Sequence, residues 1–479
     1  MKILSIKNLE YKREVAWYSM DDVQKNATDD FSKGYIDFLN KAKTERECVR
    51  EMTSIAKAEG FVDFQDVIDG KATLKAGLKI YWTNREKAMM MAIIGKENPI
   101  NGLNMVGAHI DAPRLDFRPQ PLYEDHDMAL AKTHYYGGIK KYQWVSVPLA
   151  LHGVVCKKDG TKIIINIGEE ADDPIFVIND LLPHLAYEQI EKKASDVISA
   201  EGLNLVMGSL PYYSNDPEDA KGVKANVLRL LNEKYGISER DFNFAEIEIV
   251  PALPAKYVGL DKGMIGGYAQ DDKVCAYTAF KALLEIDDIP AKTCACYFSD
   301  REEVGSMGNT GARANWLENF FFELCNAYSV ANDGKIDIAV AARRSMTSTA
   351  FLSADVTAAF DPNFPEVSEP MNTAYCGMGI AFEKYTGHRG KSGASEASCE
   401  FFTGIAKVLD DAGIPWQLTE MGKLDKGGGG TIAQYMTDLG MDVIDCGTPV
   451  LSMHSPYEVT SKVDVYWTYK AYLAFFMNY

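Results

Sequence analysis

Two adjacent carboxylates, Glu302 and Glu303, follow an apolar segment in a pattern that suits metal-assisted chemistry. Residues 293–298 have the composition of a buried strand, so the pair emerges where a strand gives way to a loop. Neighbouring side chains there point in different directions. One carboxylate can therefore bind a metal while the other stays unliganded and transfers protons. A Glu-Glu pair alone is more often part of a solvated surface, so this interpretation needs support from other residues.

That support comes from imidazoles and carboxylates near the ends of other predicted elements. These are His109 after the apolar run 103–108, Asp271 before the helical pattern 273–285, Asp355 after the run 350–354, and His454 beyond the run 441–446. In open α/β sheets, ligands bind beyond the carboxyl ends of the strands, so these side chains are placed to converge. Imidazole and carboxylate ligands suit zinc, and cobalt or manganese is also possible.

Charge balance favours two metal ions over one. Two divalent ions bring four positive charges, which three ligand carboxylates and a hydroxide would cancel. The carboxylates assigned on this basis are Asp271 as the bridge, with Glu303 and Asp355 on one metal each. His109 and His454 are the terminal imidazoles, and Glu302 remains as the general base.

Composition limits the partners and the compartment. The net charge of −18 argues against a nucleic-acid partner. Nine cysteines, an odd and dispersed set, are typical of reduced thiols and predict a cytoplasmic protein. Residues 1–15 carry charges and no apolar segment, so we expect no signal peptide. The longest apolar stretch, 144–156, is too short to span a bilayer, and we expect no membrane partner.

The 479 residues predict two domains, one inserted into the other. Helical and strand patterns alternate in the first 110 residues or so and again after 257, whereas residues 135–249 hold short β-like runs with an Asp159-Gly160 hairpin. The metal-ligand candidates lie only in the outer segments. We therefore predict an α/β catalytic domain formed by 1–114 and 251–479, with a β-rich domain inserted at 115–250.

Five motifs in order, spread over nearly the whole chain, resemble the aspartyl aminopeptidase family, which includes vacuolar aminopeptidase I. They are GAHIDAP (107–113), QDDK (270–273), DREEVGS (300–306), SAD (353–355) and MHS (453–455). The resemblance implies a three-layer zinc-exopeptidase-type catalytic domain with an inserted, mainly-β dimerisation domain. It also implies two zinc ions per chain, joined by Asp271. His109 and Asp355 would complete one zinc site, and Glu303 and His454 the other.

Further roles follow from the same resemblance. Glu302 matches the family's general base, and Asp111 matches a carboxylate that orients the metal-binding imidazole. Asp111 as a simple turn residue stays open, and Asp272 is interpreted as a helix cap. His184 matches a histidine that reaches into a neighbouring subunit's active site, with a helix cap or domain packing as the alternative. Family members form dimers that build dodecamers, so the resemblance implies a homo-oligomer.

The sequence indicates the substrate preference less specifically than it indicates the metal ligands. Family members that cleave Asp or Glu carry a basic residue lining the specificity pocket, in the segment before Ala394. Lys384, His388, Arg389 and Lys391 are the candidates, and a solvated basic loop is an equal alternative. The N-terminal residue removed from peptide substrates is therefore expected to be acidic or neutral, such as Leu.

The expected activity is that of a di-zinc aminopeptidase. Two alternatives stay open at this point. One is a different di-zinc hydrolase, such as a carboxypeptidase or deacylase. The other is a non-catalytic protein that forms a shell or binds cargo, although a complete ligand set argues against it.

Overall fold

Two large sheets and a set of covering helices make up the described part of the chain. The computed structural model describes residues 9–216, 219–332, 334, 337–393 and 395–479; residues 1–8 of the N-terminal stretch and Ala394 of the basic segment lie outside it. The helices are α1 (Ala16–Ser19), α2 (Asp22–Lys41), α3 (Glu45–Ala58), α4 (Phe64–Ile68), α5 (Tyr187–Ile190), α6 (Val223–Tyr235), α7 (Gln270–Leu284), α8 (Trp316–Ala331), α9 (Ile338–Thr347), α10 (Cys399–Asp411), α11 (Ala433–Asp438) and α12 (Lys462–Asn478).

The strands fall into four sheets. In chain order they are β1 (Val62–Asp63), β2 (Lys79–Asn84), β3 (Ala88–Ile93), β4 (Asn104–His109), β5 (Arg114–Asp125), β6 (Met128–Tyr136), β7 (Leu149–Cys156), β8 (Lys162–Ile167), β9 (Asn204–Gly208), β10 (Ala245–Pro251), β11 (Lys256–Val258), β12 (Met264–Gly267), β13 (Cys294–Ser299), β14 (Ala350–Ser353), β15 (Thr357–Ala358), β16 (Ile380–Glu383), β17 (Gly387–His388), β18 (Trp416–Leu418), β19 (Gly428–Gly429), β20 (Asp442–Gly447), β21 (Pro449–Leu451) and β22 (Glu458–Ser461).

The central sheet has nine strands in the order β1-β2-β3-β13-β4-β14-β20-β16-β18. Within it, β4 pairs in parallel with both β13 and β14, and β14 pairs in parallel with β20. The carboxyl ends of these four adjacent strands therefore lie at one edge. All four were predicted from apolar runs, because strands buried on both faces are continuously apolar.

Helices cover both faces of the central sheet, which makes three layers. Alternate side chains of strand β13 point to opposite faces and join different cores. Cys294, Cys296 and Phe298 join the core beneath α2, α3, α7, α10 and α12. Ala295 and Tyr297 join the core beneath α4, α8, α9 and α11. Burying an aromatic side chain such as Phe298 contributes about 2 to 3 kcal/mol. Cys294 and Cys296 are both fully buried in this core, so they are packing residues.

A second sheet of six strands, β8-β7-β10-β5-β6-β9, is antiparallel throughout. Its strands all lie within residues 114–251, and its own apolar core includes Leu115, Trp144 and Ile249. The predicted hairpin is present, because β7 and β8 are joined by a turn in which Gly160 has φ +88°. The boundaries drawn for an inserted domain stay a prediction.

Ion pairs join helix α3, and Lys43 two residues before it, to the six-stranded sheet and to the loop that follows β8. Arg46 pairs with Glu246 at 2.7 Å, and Glu47 contacts His152 at 2.7 Å. The buried Lys43 pairs with Glu169 at 2.6 Å. Lys43, Glu47 and His152 are buried, whereas Glu246 is exposed, so the contacts of the buried groups do most to fix where the second sheet sits on the first. Among the described helices, none is long and apolar enough to cross a membrane.

Gly447, at the end of β20, lies against the backbone that carries Asp355. A Cβ on Gly447 would lie 2.0 Å from the Asp355 carbonyl oxygen and 2.8 Å from Cys275 Sγ. Since backbone cannot yield as a flexible side chain does, we expect Gly447→Ala to lower the free energy of unfolding by about 1 to 3 kcal/mol, measured by denaturant titration. Gly390→Ala is the control, because nothing lies within 4 Å of a Cβ there. Equal stability of the two variants would contradict this packing.

Candidate metal centre and active site

The carboxyl edge of the central sheet brings the predicted ligands and Glu302 together. His109 ends β4, Glu302 and Glu303 follow β13, Asp355 follows β14, His454 lies beyond β20 and β21, and Asp271 opens α7. All of these side chains except His109 line one cavity of about 220 Å³, and His109 lies buried against Asp271. The order of the parallel strands thus converts dispersed sequence positions into one site.

Asp271 lies between the two imidazoles. Its Oδ1 is 3.1 Å from His109 Nε2, and its Oδ2 is 3.1 Å from His454 Nε2, so each carboxylate oxygen faces a different histidine. Glu303 Oε2 lies 3.4 Å from His454 Nε2, and Asp355 Oδ1 lies 4.0 Å from His109 Nε2. This is the arrangement a carboxylate needs to bridge two cations.

Backbone carbonyls fix the tautomer of both histidines. Nδ1 of His109 lies 3.0 Å from the carbonyl oxygen of Asp111, and Nδ1 of His454 lies 3.0 Å from that of Gly138. A carbonyl can only accept, so each Nδ1 carries the proton and donates it. Each Nε2 is then the ring nitrogen that faces Asp271, and it can bind a metal in exchange for the proton that it otherwise donates to that carboxylate.

Asp111 holds the Glu302-Glu303 turn in place. Its Oδ1 accepts a hydrogen bond from the Glu302 N–H at 3.0 Å, and its Oδ2 accepts from the Glu303 N–H at 3.3 Å. The Tyr136 hydroxyl also donates to Oδ2, at 2.8 Å. Oδ1 further lies 3.3 Å from His109 Nδ1. The Asp111 side chain therefore positions an imidazole and both glutamates, which is more than shaping a turn.

Two positioning residues were missed by the sequence analysis. One is Tyr136. The other is Glu458, a buried carboxyl whose Oε2 accepts from the Asp271 N–H at 3.1 Å and whose Oε1 accepts from the His454 N–H at 2.7 Å. In the sequence Glu458 is a single glutamate, which by itself points to no partner.

The interpretation of Asp272 as a helix cap is wrong. Its Oδ2 accepts a hydrogen bond from the backbone N–H of His109 at 3.3 Å, and its Oδ1 has no hydrogen-bond partner among the described residues. The side chain is turned toward β4 because the chain is not yet helical at Asp272 (φ −118°, ψ 28°). Asp272 also lies within ligand distance of His109 and Asp355.

Burial dominates the electrostatics of the cluster. It raises the pKa of the Glu303 and Asp355 carboxyls well above their usual values and that of Glu302 to about 7. Burial alone would also raise the pKa of Asp271, but hydrogen bonds with His109 and His454 hold it below its usual value. Several buried carboxyls thus face only two imidazoles, an imbalance that divalent cations would offset.

The donor set fits zinc. On a tetrahedral ion with bonds of about 2.1 Å, neighbouring ligand atoms lie roughly 3.4 Å apart. The separations of 3.1 Å, 3.1 Å and 3.4 Å among the ligand atoms of His109, Asp271, His454 and Glu303 agree with that value. Glu303 Oε1 is also buried without a hydrogen-bond partner among the described residues, as expected for an atom whose partner is a metal.

The basic residues predicted for substrate recognition do not line this cavity. Lys384 and His388 are exposed, and Arg389 and Lys391 line a neighbouring depression. The glycine run 427–430 reaches the cavity through residues 428–430. Strand β19 of this run pairs with β17, so the basic loop is held beside the cavity but outside it.

His184 is not brought to the cavity of its own chain. It lies in the short 3₁₀ turn Pro183–Leu185, in the segment that belongs to the six-stranded sheet, and is exposed to solvent. Apolar side chains around it in sequence are exposed as well, among them Leu182, Leu185 and Tyr187. Such a patch is typical of a surface that binds another protein chain.

Comparison with known proteins gives one consistent family. Residues 38–476 match the family model described as aminopeptidase I zinc metalloprotease (M18). A protein of Clostridium acetobutylicum named "Probable M18 family aminopeptidase 1" is 47% identical over 469 residues, covering 98% of each chain. A protein of Thermotoga maritima with the same name is 44% identical, covering 97% of this chain and 98% of its own.

Solved structures agree in fold. The M18 aminopeptidase of Thermotoga maritima has a TM-score of 0.92 at 42% identity, covering 98% of this chain and 100% of its own. Aminopeptidase I of Clostridium acetobutylicum has a TM-score of 0.87 at 45% identity, covering 98% and 99%. A more distant likeness is the mApe1 dodecamer of S. cerevisiae, with a TM-score of 0.75 at 20% identity, covering 94% and 97%. These likenesses confirm the predicted α/β fold class.

Proposed function

This chain belongs to the M18 family of aminopeptidase I zinc metalloproteases, and we propose that it removes the N-terminal residue of peptides with two zinc ions per chain. The predicted family and enzyme class, a metallo-aminopeptidase, are confirmed by the family match and the near-full-length relatives. The observation that carries the count of two ions is the placement of Asp271, whose two oxygens each face a different imidazole.

The proposed zinc ligands divide into two sets that share Asp271. His109 and Asp355 complete one set, and Glu303 and His454 complete the other. Cobalt or manganese would find the same nitrogen and oxygen ligands. Bound metal supplies Lewis acidity, which polarises the scissile carbonyl.

Glu302 is proposed as the general base. It lines the cavity beside the ligands, and burial raises its pKa to about 7, the range in which a carboxyl exchanges protons at neutral pH. It takes a proton from the attacking water and delivers it to the leaving amine. Asp111 holds the Glu302 backbone through a 3.0 Å hydrogen bond, which positions the residue that carries the carboxylate.

Of the two substrate preferences left open by the sequence, we favour a non-acidic N-terminal residue. The cavity that contains the ligand side chains is lined by Glu383 and Asp445, and no Lys or Arg of the described residues lines it. An acidic side chain would therefore be buried beside like charges. Lys384, His388 and Arg389 would have to act from outside the cavity.

We further propose a cytoplasmic homo-oligomer in which His184 acts in trans. The exposed apolar segment around His184 supports a dimer contact through the inserted region. Assembly of such dimers into a dodecamer is an expectation from the family resemblance, and one structural neighbour is a dodecamer. In this arrangement His184 of one subunit would donate a hydrogen bond to the developing oxyanion in its partner's site.

Metal content tests the two-ion proposal. We expect the unmodified protein to bind close to two zinc ions per chain and Asp271→Ala to lose both, since a bridging ligand serves each ion. Elemental analysis after dialysis measures this. Asp261→Ala is the control, because Asp261 is an exposed aspartate of a surface turn. A single ion retained by Asp271→Ala would contradict the bridge.

Glu302→Gln tests the base. The change keeps the size of the side chain and should keep the metals, yet we expect turnover to fall by about 100-fold or more. Turnover is measured on aminoacyl reporter substrates in protein of verified metal content. An N-terminally acetylated reporter should not be cleaved, whereas a carboxypeptidase or deacylase would not require the free amine. Wild-type turnover in metal-replete Glu302→Gln would assign the proton transfer to another group.

Complementation tests His184. Glu302→Gln and His184→Ala chains should each be inactive alone. With random pairing about half the dimers are mixed, and in each of these one site combines an intact Glu302 with the partner's intact His184, so about a quarter of all sites should recover. Activity of the co-expressed mixture measures this. If His184 acts within its own chain, every site carries a lesion and no activity returns.

A further inference from the structure

Two carboxyls not assigned to the metals lie side by side in the wall of the active-site cavity. Glu383 ends β16 and Asp445 lies in β20, and these residues are directly opposite in the antiparallel pair. Opposite residues of such a pair project from the same face. Both side chains line the cavity that contains Glu302 and Asp355, and only 8% and 4% of the respective residues are exposed.

Neither carboxyl has a cationic partner among the described residues. Glu383 Oε1 accepts a hydrogen bond from Thr357 at 2.6 Å, and Asp445 Oδ1 accepts one from Thr431 at 2.6 Å. The second carboxyl oxygen of Glu383 makes no hydrogen bond within the described ranges. Buried carboxyls are normally paired with a positive charge or a full set of donors, so this pair lacks a partner.

The distance from the metal centre matches the length of a long side chain. Asp445 pairs in register with Ser353 of β14, and Asp355 comes two residues later. At a rise of at most about 3.3 Å per residue, the backbone of Asp445 lies up to roughly 7 Å deeper than that of Asp355. An extended lysine side chain reaches about 6 Å from Cα to Nζ, given its bond lengths. A residue whose backbone lies at the metal ligands would therefore place a terminal cation beside these carboxyls.

Charge inside the cavity favours a cation over an anion. Burial raises the pKa of Glu383 to about 8 and that of Asp445 to about 6, the direction expected of carboxyls without a counter-ion, and a bound ammonium would reverse it. The nearby Lys391 does not compensate, because it is exposed and pairs with Glu396 at 2.9 Å.

We propose that Glu383 and Asp445 form the specificity pocket for the N-terminal side chain and that the enzyme prefers peptides beginning with lysine or arginine. This inference rests on the proposed aminopeptidase function. The hydroxyls of Thr357 and Thr431 orient the two carboxylates, and the ammonium or guanidinium of the substrate occupies the space between them.

Reporter substrates matched in shape test the preference in the unmodified zinc-loaded enzyme. Lysyl and norleucyl reporters have equally long side chains and differ in the terminal charge, and glutamyl and glutaminyl reporters differ likewise in negative charge. We expect kcat/KM to be at least about 10-fold higher for lysyl than for norleucyl, and lower for glutamyl than for glutaminyl. Equal values for lysyl and norleucyl, or a glutamyl preference, would overturn the proposal. Hydrolysis of no reporter at all would instead refute the proposed aminopeptidase function.

Variants assign the preference to residues. Glu383→Gln and Asp445→Asn keep the shape of the side chains, and we expect each to reduce the ratio of lysyl to norleucyl kcat/KM by about 10-fold. The ratio is informative whatever happens to the absolute rate, because both reporters meet the same catalytic groups. Glu396→Gln is the matched control, because Glu396 is exposed and lies outside the cavity. The ratio of lysyl to norleucyl kcat/KM in this variant should equal that of the unmodified enzyme. An unchanged ratio in both pocket variants would place the preference elsewhere.

Discussion

The crowding of carboxylates at one edge of a buried sheet is the constraint on which the rest of the site depends. Asp271, Glu303 and Asp355 are withdrawn from water within a few ångströms of each other, and like charges so placed repel unless cations and donors offset them. The backbone of each of these three residues is held by a contact with another part of the chain. The Asp271 backbone donates to Glu458, the Glu303 backbone donates to Asp111, and the Asp355 backbone packs on Gly447. The ligands are therefore held in place before any metal binds.

The six-stranded sheet takes part in this positioning. The chain leaves the site through Asp111 and enters the second sheet at Arg114, a buried guanidinium that pairs with Asp116 at 2.9 Å and Glu248 at 3.1 Å. Strand β6 ends back at the site. There the Tyr136 hydroxyl donates a hydrogen bond to Asp111, and the Gly138 carbonyl accepts one from His454. The part of the chain expected to mediate dimerisation thus also orients an imidazole.

The carboxyls in the two parts of the cavity differ in how their charge is balanced. Near Glu302 the carboxyls are balanced by imidazoles and, when loaded, by zinc. Deeper in the cavity, Glu383 and Asp445 have only hydroxyl donors among the described residues, and in the proposed specificity the balancing charge arrives with the substrate. Basic side chains on the loop beside the cavity are exposed, where water screens them and their attraction for a buried group is weak.

The sequence by itself determined the strand ends and the ligands that follow them. Continuous apolar runs mark strands buried on both faces, so His109, Glu303 and Asp355 could be located from local pattern, and the spacing of motifs indicated the family. Only the tertiary structure decided which residues support them. Glu458 and Asp271 are 187 positions apart, and Glu383 meets Asp445 because β16 lies next to β20. Such contacts depend on the order of strands in a sheet, which local periodicity does not encode; for the same reason the sequence could not show that Lys384 lies outside the cavity.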